Sequence, residues 1–257
     1  VVAWIDELGE VFAVFDHQDS ACVSYGLMAE GKRWFVKTAI SAGAVPALER
    51  AVAFHRAVSH SAIIPLQRVI NAPIGPGLVY PWVDGDVLYG APTAGRETRV
   101  DPAGPHSRFR SLPLIDALRA VDAIFDAHLS VAADGFVAVD WYDGCIIYDF
   151  QNHTVHLCDL DEYRPGPFTV VGDRLPGSTR FMAPEELTSG ATIDERTSVF
   201  NLGRTALVLL NEGDLDGNYR ANTQSRRVAQ RATRAEPADR YRTVAAFVAA
   251  WRAAVDG

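Results

Sequence analysis

Gly177-Ser178-Thr179-Arg180-Phe181-Met182-Ala183-Pro184-Glu185 is the stretch on which the fold of this chain turns, because it fixes a register for everything around it. Upstream lie the apolar run Val155-His156-Leu157-Cys158 and then Asp159-Leu160-Asp161. Downstream lie Ser198-Val199-Phe200-Asn201-Leu202-Gly203 and Glu236-Pro237-Ala238-Asp239-Arg240-Tyr241. The 257 residues suffice for one large domain or two lobes sharing a cleft. An apolar fraction of 48% and a charged fraction of 22% suit a globular chain with a sizeable core. The net charge of -8 argues against non-specific nucleic-acid binding, which needs a basic surface. The longest apolar stretches are too short to span a bilayer, and Asp6 and Glu7 interrupt the N-terminal run, so neither a membrane span nor a signal peptide is expected. Cys22, Cys145 and Cys158 are odd in number and lack CxxC spacing, which points to free thiols in a reducing cytoplasm rather than a disulfide framework or a zinc site.

The order of elements is strands first and helices after. Residues 11–40 alternate apolar and polar positions, with Glu30-Gly31-Lys32 a tight turn between two strands. From Pro46 to Ser59 the spacing of Leu48, Val52, Phe54 and Val58 becomes helical, and Pro46 suits a first turn. A second strand pair is expected over Leu66–Ile70 and Leu78–Pro81. Residues 84–111 are rich in Gly, Pro and Arg without periodicity and read as a connection plus a long loop. A long helix is expected from Leu112 to Ala133, with Leu114, Leu118, Val121, Ile124, Phe125 and Leu129 on one face. Short strands at Ile146–Tyr148 and Val155–Cys158 flank a turn at Phe150–His153, and residues 184–256 read as helices around Val199–Leu210. His128 falls in an apolar helix and reads as a packed core histidine.

The opening run resembles the end of a protein-kinase activation segment, Gly-Thr-x-x-Tyr-Met-Ala-Pro-Glu, preceded by a metal motif. The resemblance covers nearly the whole chain and is nearest to bacterial Ser/Thr protein kinases. It implies an α+β, bilobal protein-kinase-like fold. A small antiparallel β-rich lobe would span residues 1–83 and a larger helical lobe 84–257, with 87–111 a loop-rich connection. It also implies ATP and a divalent metal, magnesium or manganese, as cofactors.

Phosphoryl transfer needs phosphate-positioning cations, a metal on carboxylates and an oriented nucleophile. By resemblance, Lys37 in Trp34-Phe35-Val36-Lys37 grips the nucleotide phosphates. Glu49 pairs with it, eleven residues before His60-Ser61-Ala62-Ile63-Ile64, which is similar to the kinase run His-Pro-Asn-Ile-Val. Aligning Val23 with the valine after the phosphate loop puts Asp16, Gln18 and Ala21 at the usual glycines, with Ser20 a hydroxyl donor. Leu78-Val79-Tyr80-Pro81-Trp82-Val83-Asp84-Gly85 resembles the hinge. Tyr80 is then the gatekeeper, Trp82 or Val83 supplies the amide that Pro81 lacks, and Asp84 or Asp86 reaches the ribose.

Ala138-Val139-Asp140-Trp141-Tyr142-Asp143-Gly144-Cys145 matches His-Arg-Asp-x-x-x-x-Asn. Asp140 becomes the residue that orients the acceptor hydroxyl. Cys145 stands where the metal-binding asparagine belongs, and thiols are poor ligands for magnesium. Asp143 is one replacement oxygen donor. Asp159 is the principal metal ligand, with Asp161 where Asp-Phe-Gly has glycine, as in small-molecule kinases resembling choline kinases. Glu185 and Arg240 resemble the buried pair that ties the activation segment to the C-terminal helices, and Ser198 replaces the aspartate that holds the catalytic-loop backbone. The loop's histidine and arginine are Ala138 and Val139, which implies activity independent of activation-loop phosphorylation.

The resemblance therefore implies a cytoplasmic phosphotransferase passing the γ-phosphate of ATP to a hydroxyl on a protein. Two alternatives stand beside it: a small-molecule phosphotransferase of the antibiotic- or choline-kinase kind, and a pseudokinase serving as a nucleotide-binding scaffold. Asp-Leu-Asp favours the first alternative; Cys145, Tyr142 and the missing glycines favour the second. Neither nucleic acid nor a membrane is expected as a partner.

Overall fold

The alternation across residues 11–40 becomes three antiparallel strands in the computed structural model: β1 (Glu10–Phe15), β2 (Cys22–Ala29) and β3 (Lys32–Ala39), after a single helical turn, α1 (Ala3–Asp6). The structure describes residues 3–16, 21–89, 101–212, 215 and 217–257. Glu30 and Gly31 both take left-handed φ, 53° and 70°, the geometry a two-residue hairpin turn needs to match strand twist. The helical spacing after Pro46 becomes α2 (Val45–Ala57), and β4 (Arg68–Asn71) and β5 (Pro76–Pro81) complete a sheet in the order β1-β2-β3-β5-β4.

The molecule is mixed α+β, with this five-stranded sheet first and helices later. It divides into two compact units. The first comprises the chain up to Ser59 together with Ile64–Asp84; the second comprises His60–Ile63 and everything from Gly85 on. In the first unit the two faces of the sheet have separate cores. Val23, Tyr25, Leu27, Val36 and Val79 pack with Ile5 on one face. Cys22, Ala39 and Leu78 pack with Leu48 and Ala51 of α2 on the other.

The second unit opens with β6 (Asp86–Val87) and α3 (Pro105–Arg110), the latter inside the stretch that reads as loop from sequence. Its six residues are too few to show a helical period, yet Phe109 is fully buried. The expected long helix is α4 (Leu114–Ala133), whose buried stripe includes Val121, Ile124 and Phe125 but is completed by Ala117, Ala120 and Ala127. His128 is buried there as expected. Nδ1 lies 2.8 Å from the Ile124 carbonyl and Nε2 2.9 Å from the Tyr163 hydroxyl. Burial lowers its pKa to about 4, so the ring is neutral and Nδ1–H donates while Nε2 accepts.

Short strands β7 (Phe136–Val137), β8 (Ile146–Asp149) and β9 (Thr154–Leu157) follow, then β10 (Arg164–Pro165), β11 (Phe168–Thr169) and β12 (Thr192–Ile193). β8 and β9 form the expected hairpin in a three-stranded sheet with β6. Helices α5 (Glu195–Leu209), α6 (Thr223–Ala232) and α7 (Val244–Asp256) close the unit. α5 is the central one. Gly203 lets it approach α6, since a Cβ there would sit 2.6 Å from the Ala232 Cβ and 3.0 Å from the Ala229 carbonyl oxygen. Among the described residues no helix is long and apolar enough to cross a membrane.

Glu185 and Arg240 meet as a bidentate pair, at 2.6 and 2.8 Å, and the arginine side chain is wholly buried. The remaining guanidinium donors reach the carbonyls of Arg234, Arg196 and Ala235. Truncating one partner of such a pair strands the other and costs about 3–5 kcal/mol. Arg240→Ala is therefore expected to lower the unfolding free energy of the second unit by that amount in urea titrations. A loss below about 1 kcal/mol would show that the pair is dispensable.

Candidate functional site

In the first unit the candidate residues are sorted by the two faces of the sheet. Lys37 is 5% exposed on β3, opposite Ser24 of β2 and Leu78 of β5. Directly paired residues share a face. The Lys37 face therefore carries Ser24, Gly26, Phe35, Leu78 and Tyr80, and α2 packs on the same side. Val23, expected at the nucleotide, lies one residue out of step and points into the opposite core with Val36 and Val79. A strand's faces alternate with period two, so this one-residue slip reverses the side chain. Ser24, its neighbour, is the residue the sequence reading missed. Its hydroxyl is fully buried and has no hydrogen-bond partner among the described residues.

Phe35, two residues before Lys37, joins an aromatic cluster. Its ring centroid lies 5.9 Å from Phe15 and 6.4 Å from Tyr80, while Trp82 is edge-on to Phe12 at 4.9 Å. These rings crowd Gly26, where a Cβ would approach Phe12 to 2.6 Å and Trp82 to 3.0 Å. Tyr80 also meets His55 of α2 edge-on at 5.4 Å. The Trp82 amide, one of the two expected to face a nucleotide, is engaged with the Arg33 carbonyl at 3.1 Å. Asp84 accepts a bidentate pair from Arg33 at 2.9 and 2.7 Å on the surface.

Glu49 is exposed on α2, and no ion pair joins it to Lys37 among the described residues. The cause is helical phase. Leu48, Ala51 and Phe54 turn to the interior at i, i+3 and i+6, and Glu49 is one step around from them. Of the phosphate-loop positions, Ala21 holds a left-handed φ of 51° and its carbonyl accepts from the Ile40 amide at 3.0 Å. Ser20 lies outside the described residues.

In the second unit Asp140 follows β7, and Asp159 follows β9 after Cys158. Both take left-handed backbone, φ 58° and 55°, a conformation that costs a non-glycine residue energy and persists where surroundings impose it. Cys145 lies against both. Its thiol is buried, 3.4 Å from the Asp140 carbonyl and 3.9 Å from the Asp159 carbonyl, and its one hydrogen is shared between them. Burial pushes this thiol well above its ordinary range, helped by the charges of Asp159 and Asp140, so it stays protonated. Cys145 therefore binds backbone, and a buried protonated thiol is a poor donor to a hard cation.

Asp143 is likewise committed. Its carboxylate is fully buried and accepts from Arg180 Nη1 at 2.8 Å. His106 Nε2 lies 3.3 Å away, within ion-pair reach but without hydrogen-bond alignment. Burial works to raise the Asp143 pKa, but His106 and the Arg180 charge outweigh it and hold the group below the usual carboxylate range. Burial also lowers His106, which is neutral. Arg180 thus carries the countercharge on Oδ2; Asp143 Oδ1 is buried with no hydrogen-bond partner among the described residues, whereas Asp159 is exposed. Asp161 is nearly buried, at 6%.

Among the described residues no three His, Cys, Asp or Glu side chains converge to hold a metal. Magnesium commonly takes one or two carboxylates and completes its shell with water and phosphate oxygens. The carboxylates of Asp159 and Asp161 are the donor type that such a demand calls for, and the Cys145 thiol is not.

Two further residues support the loop. Ser198 of α5 accepts from the Ala138 amide at 3.0 Å, so the hydroxyl performs the backbone anchoring that a carboxylate was expected to perform. Tyr142 lies over Gly144, where a Cβ would be 2.3 Å from its ring, and burial raises its hydroxyl pKa. No protein-family model matches the chain, and no curated protein matches it.

Glu186 adjoins this framework. Its Oε2 accepts from the Ala183 amide at 2.7 Å and from Asn201 Nδ2 at 3.0 Å. Burial raises its pKa from 4.5 to about 7, aided by the charges of Glu185 and Asp140. The fold thus favours the protonated form. That contribution is fully present below pH 4.5 and is lost as pH rises through 7, amounting to about 3 kcal/mol. Glu186→Gln mimics the neutral acid. It is expected to match the wild type in urea unfolding near pH 5 and to exceed it by up to about 3 kcal/mol near pH 9. An unchanged difference across that range would show that Glu186 does not titrate there.

Proposed function

We propose that this chain is a protein-kinase-like phosphotransferase of bilobal fold, dependent on ATP and a divalent metal, that moves the γ-phosphate to a hydroxyl acceptor. The observation that carries the reading is the Cys145 thiol shared between the Asp140 and Asp159 carbonyls, which sets two aspartates in left-handed conformation side by side in one unit. Strained backbone held by a buried donor is a feature of functional sites.

In this reading Asp140 accepts or orients the proton of the acceptor hydroxyl. Asp159, with Asp161, holds magnesium or manganese, which when bound neutralises charge on the transferred phosphoryl group. Lys37 of the first unit grips nucleotide phosphate, and the buried Ser24 hydroxyl opposite it is a second donor on the same face. The Arg180–Asp143 pair ties the segment at 177–185 to the loop at 140–145 without a phosphate, consistent with activity that needs no activation-segment phosphorylation. A protein acceptor is the first choice and a small-molecule alcohol the second.

One set of observations favours a scaffold without transfer activity. Glu49 stands unpaired with Lys37, and the Phe12, Phe15, Phe35 and Trp82 rings crowd the Lys37 face. Thermal-shift titration separates the readings. ATP with magnesium or manganese at a hundred times its dissociation constant should stabilise the protein by about 2.7 kcal/mol, and Asp159→Asn should abolish the gain. Asp140→Asn should keep the gain and lose transfer from labelled ATP. Absence of any shift at millimolar ATP, or an equal shift in Asp159→Asn, would defeat the assignment. A shift without turnover for any hydroxyl acceptor would establish the scaffold.

A further inference from the structure

The β8–β9 hairpin brings two of the three cysteines together at the candidate centre. Its ladder ends with Ile146 opposite Leu157, and one step outward the Cys158 amide donates to the Cys145 carbonyl at 3.0 Å, which sets the two cysteines across from each other. Residues directly opposite in an antiparallel ladder have Cα atoms about 4.5–5.5 Å apart. A disulfide needs about 4.4–6.8 Å. Neither cysteine is in a disulfide, and each thiol lies on a backbone carbonyl of the centre: Cys145 on Asp140 and Asp159, Cys158 on Gly144 at 3.8 Å. Cys158 is partly exposed and Cys145 is buried.

We propose that Cys145 and Cys158 are an oxidation-sensitive dithiol, a modification site that closes to a disulfide and dismantles the support of Asp140 and Asp159. With hydrogen peroxide as oxidant, the accessible Cys158 sulfur attacks one peroxide oxygen. The O–O bond breaks, one water leaves, and Cys158 becomes a sulfenic acid. The Cys145 sulfur then attacks the Cys158 sulfur. The S–O bond breaks, an S–S bond forms, and the departing hydroxide leaves as water with the Cys145 proton. Two thiols are oxidised by two electrons and one peroxide is reduced to two waters. The hydrogen consumed at Cys145 is the one shared by the Asp140 and Asp159 carbonyls, and a disulfide sulfur has none to give. Oxidation therefore removes the donor that sets both aspartates.

The consequence for nucleotide rests on the phosphotransferase reading; the cross-link itself does not. The folded protein would be treated with hydrogen peroxide or diamide, its remaining thiols alkylated, and the product digested without reduction. Chymotrypsin is the appropriate protease, because it cuts after Tyr148 and Phe150, whereas no Lys or Arg lies between residues 145 and 158. The expected product is a linked Cys145–Cys158 peptide pair, two hydrogens lighter than the reduced pair, absent in Cys158→Ser and reversed by dithiothreitol. Alkylation of both thiols in the oxidised protein, or sulfinic acid at Cys158 without a link, would overturn the proposal. In the same samples, magnesium-dependent ATP affinity should fall about ten- to a hundredfold on oxidation and return on reduction. A linked pair in a protein that never responds to ATP would keep the dithiol and sink the phosphotransferase reading. An affinity unchanged by a complete link would overturn the claim that the Cys145 hydrogen supports the centre.

Discussion

The bidentate pair of Glu185 and Arg240 is the constraint on which the second unit depends. A buried guanidinium is costly unless every donor finds an acceptor. Here two acceptors are the Glu185 oxygens and the rest are the carbonyls of Arg196, Arg234 and Ala235. One side chain therefore joins the turn at Pro184–Leu187, the start of α5 and the chain between α6 and α7. Thr197 donates to the same Glu185 oxygen at 2.8 Å, and Phe200 lies under the guanidinium at 4.9 Å. With that end fixed, the segment from Gly177 to Met182 has little freedom. Arg180 can then reach Asp143, and Asn201 can bond both the Phe181 carbonyl and Glu186.

α5 transmits the constraint to the candidate centre. Ser198 holds the Ala138 amide, and Thr205 accepts from the Trp141 indole at 2.8 Å. His128, itself fixed between the Ile124 carbonyl and the Tyr163 hydroxyl, stands edge-on to Trp141 at 4.7 Å. The backbone on either side of Asp140 is thus anchored by neutral hydrogen bonds from a helix that Arg240 positions. Cys145 extends the anchoring to Asp159.

Legibility in the sequence followed the range of the interaction. The hairpin at Glu30-Gly31, α2, α4 and the β8–β9 hairpin were readable because period and turn chemistry are local signals. Glu185 and Arg240 were readable because their flanking residues form long motifs. Val23 and Glu49 stand away from Lys37 for one reason: alignment gives position along an element but not phase around it. A slip of one residue reverses a strand face, and a rotation of one residue carries a helix side chain out of its buried stripe. Had the alternation of Val23, Tyr25 and Leu27 been weighed against Lys37, it would have given Ser24 the Lys37 face. Nothing local marks Asp143 as sequestered, since His106 and Arg180 come from residues far away in the chain. α3 escaped because six residues hold too few turns for a period.

The departures from the family pattern share a physical direction. Where the resemblance expects charged ties, this chain substitutes neutral ones or reverses the polarity: a hydroxyl at Ser198 for a carboxylate, a thiol at Cys145 for an amide, and a carboxylate at Asp143 facing a cation from the segment. Each change follows from the one beside it. With Val139 where the resemblance has an arginine, the buried Ser198 hydroxyl satisfies the Ala138 amide without the desolvation cost of a carboxylate. With no arginine to receive a phosphate, the segment needs another tether, and Arg180 on Asp143 is one. Cys145 is consistent with the same economy: a neutral thiol lies on two carbonyls where the resemblance expects an amide. On the proposed reading these substitutions belong together as a set, and that mutual fit is the physical argument for the reading.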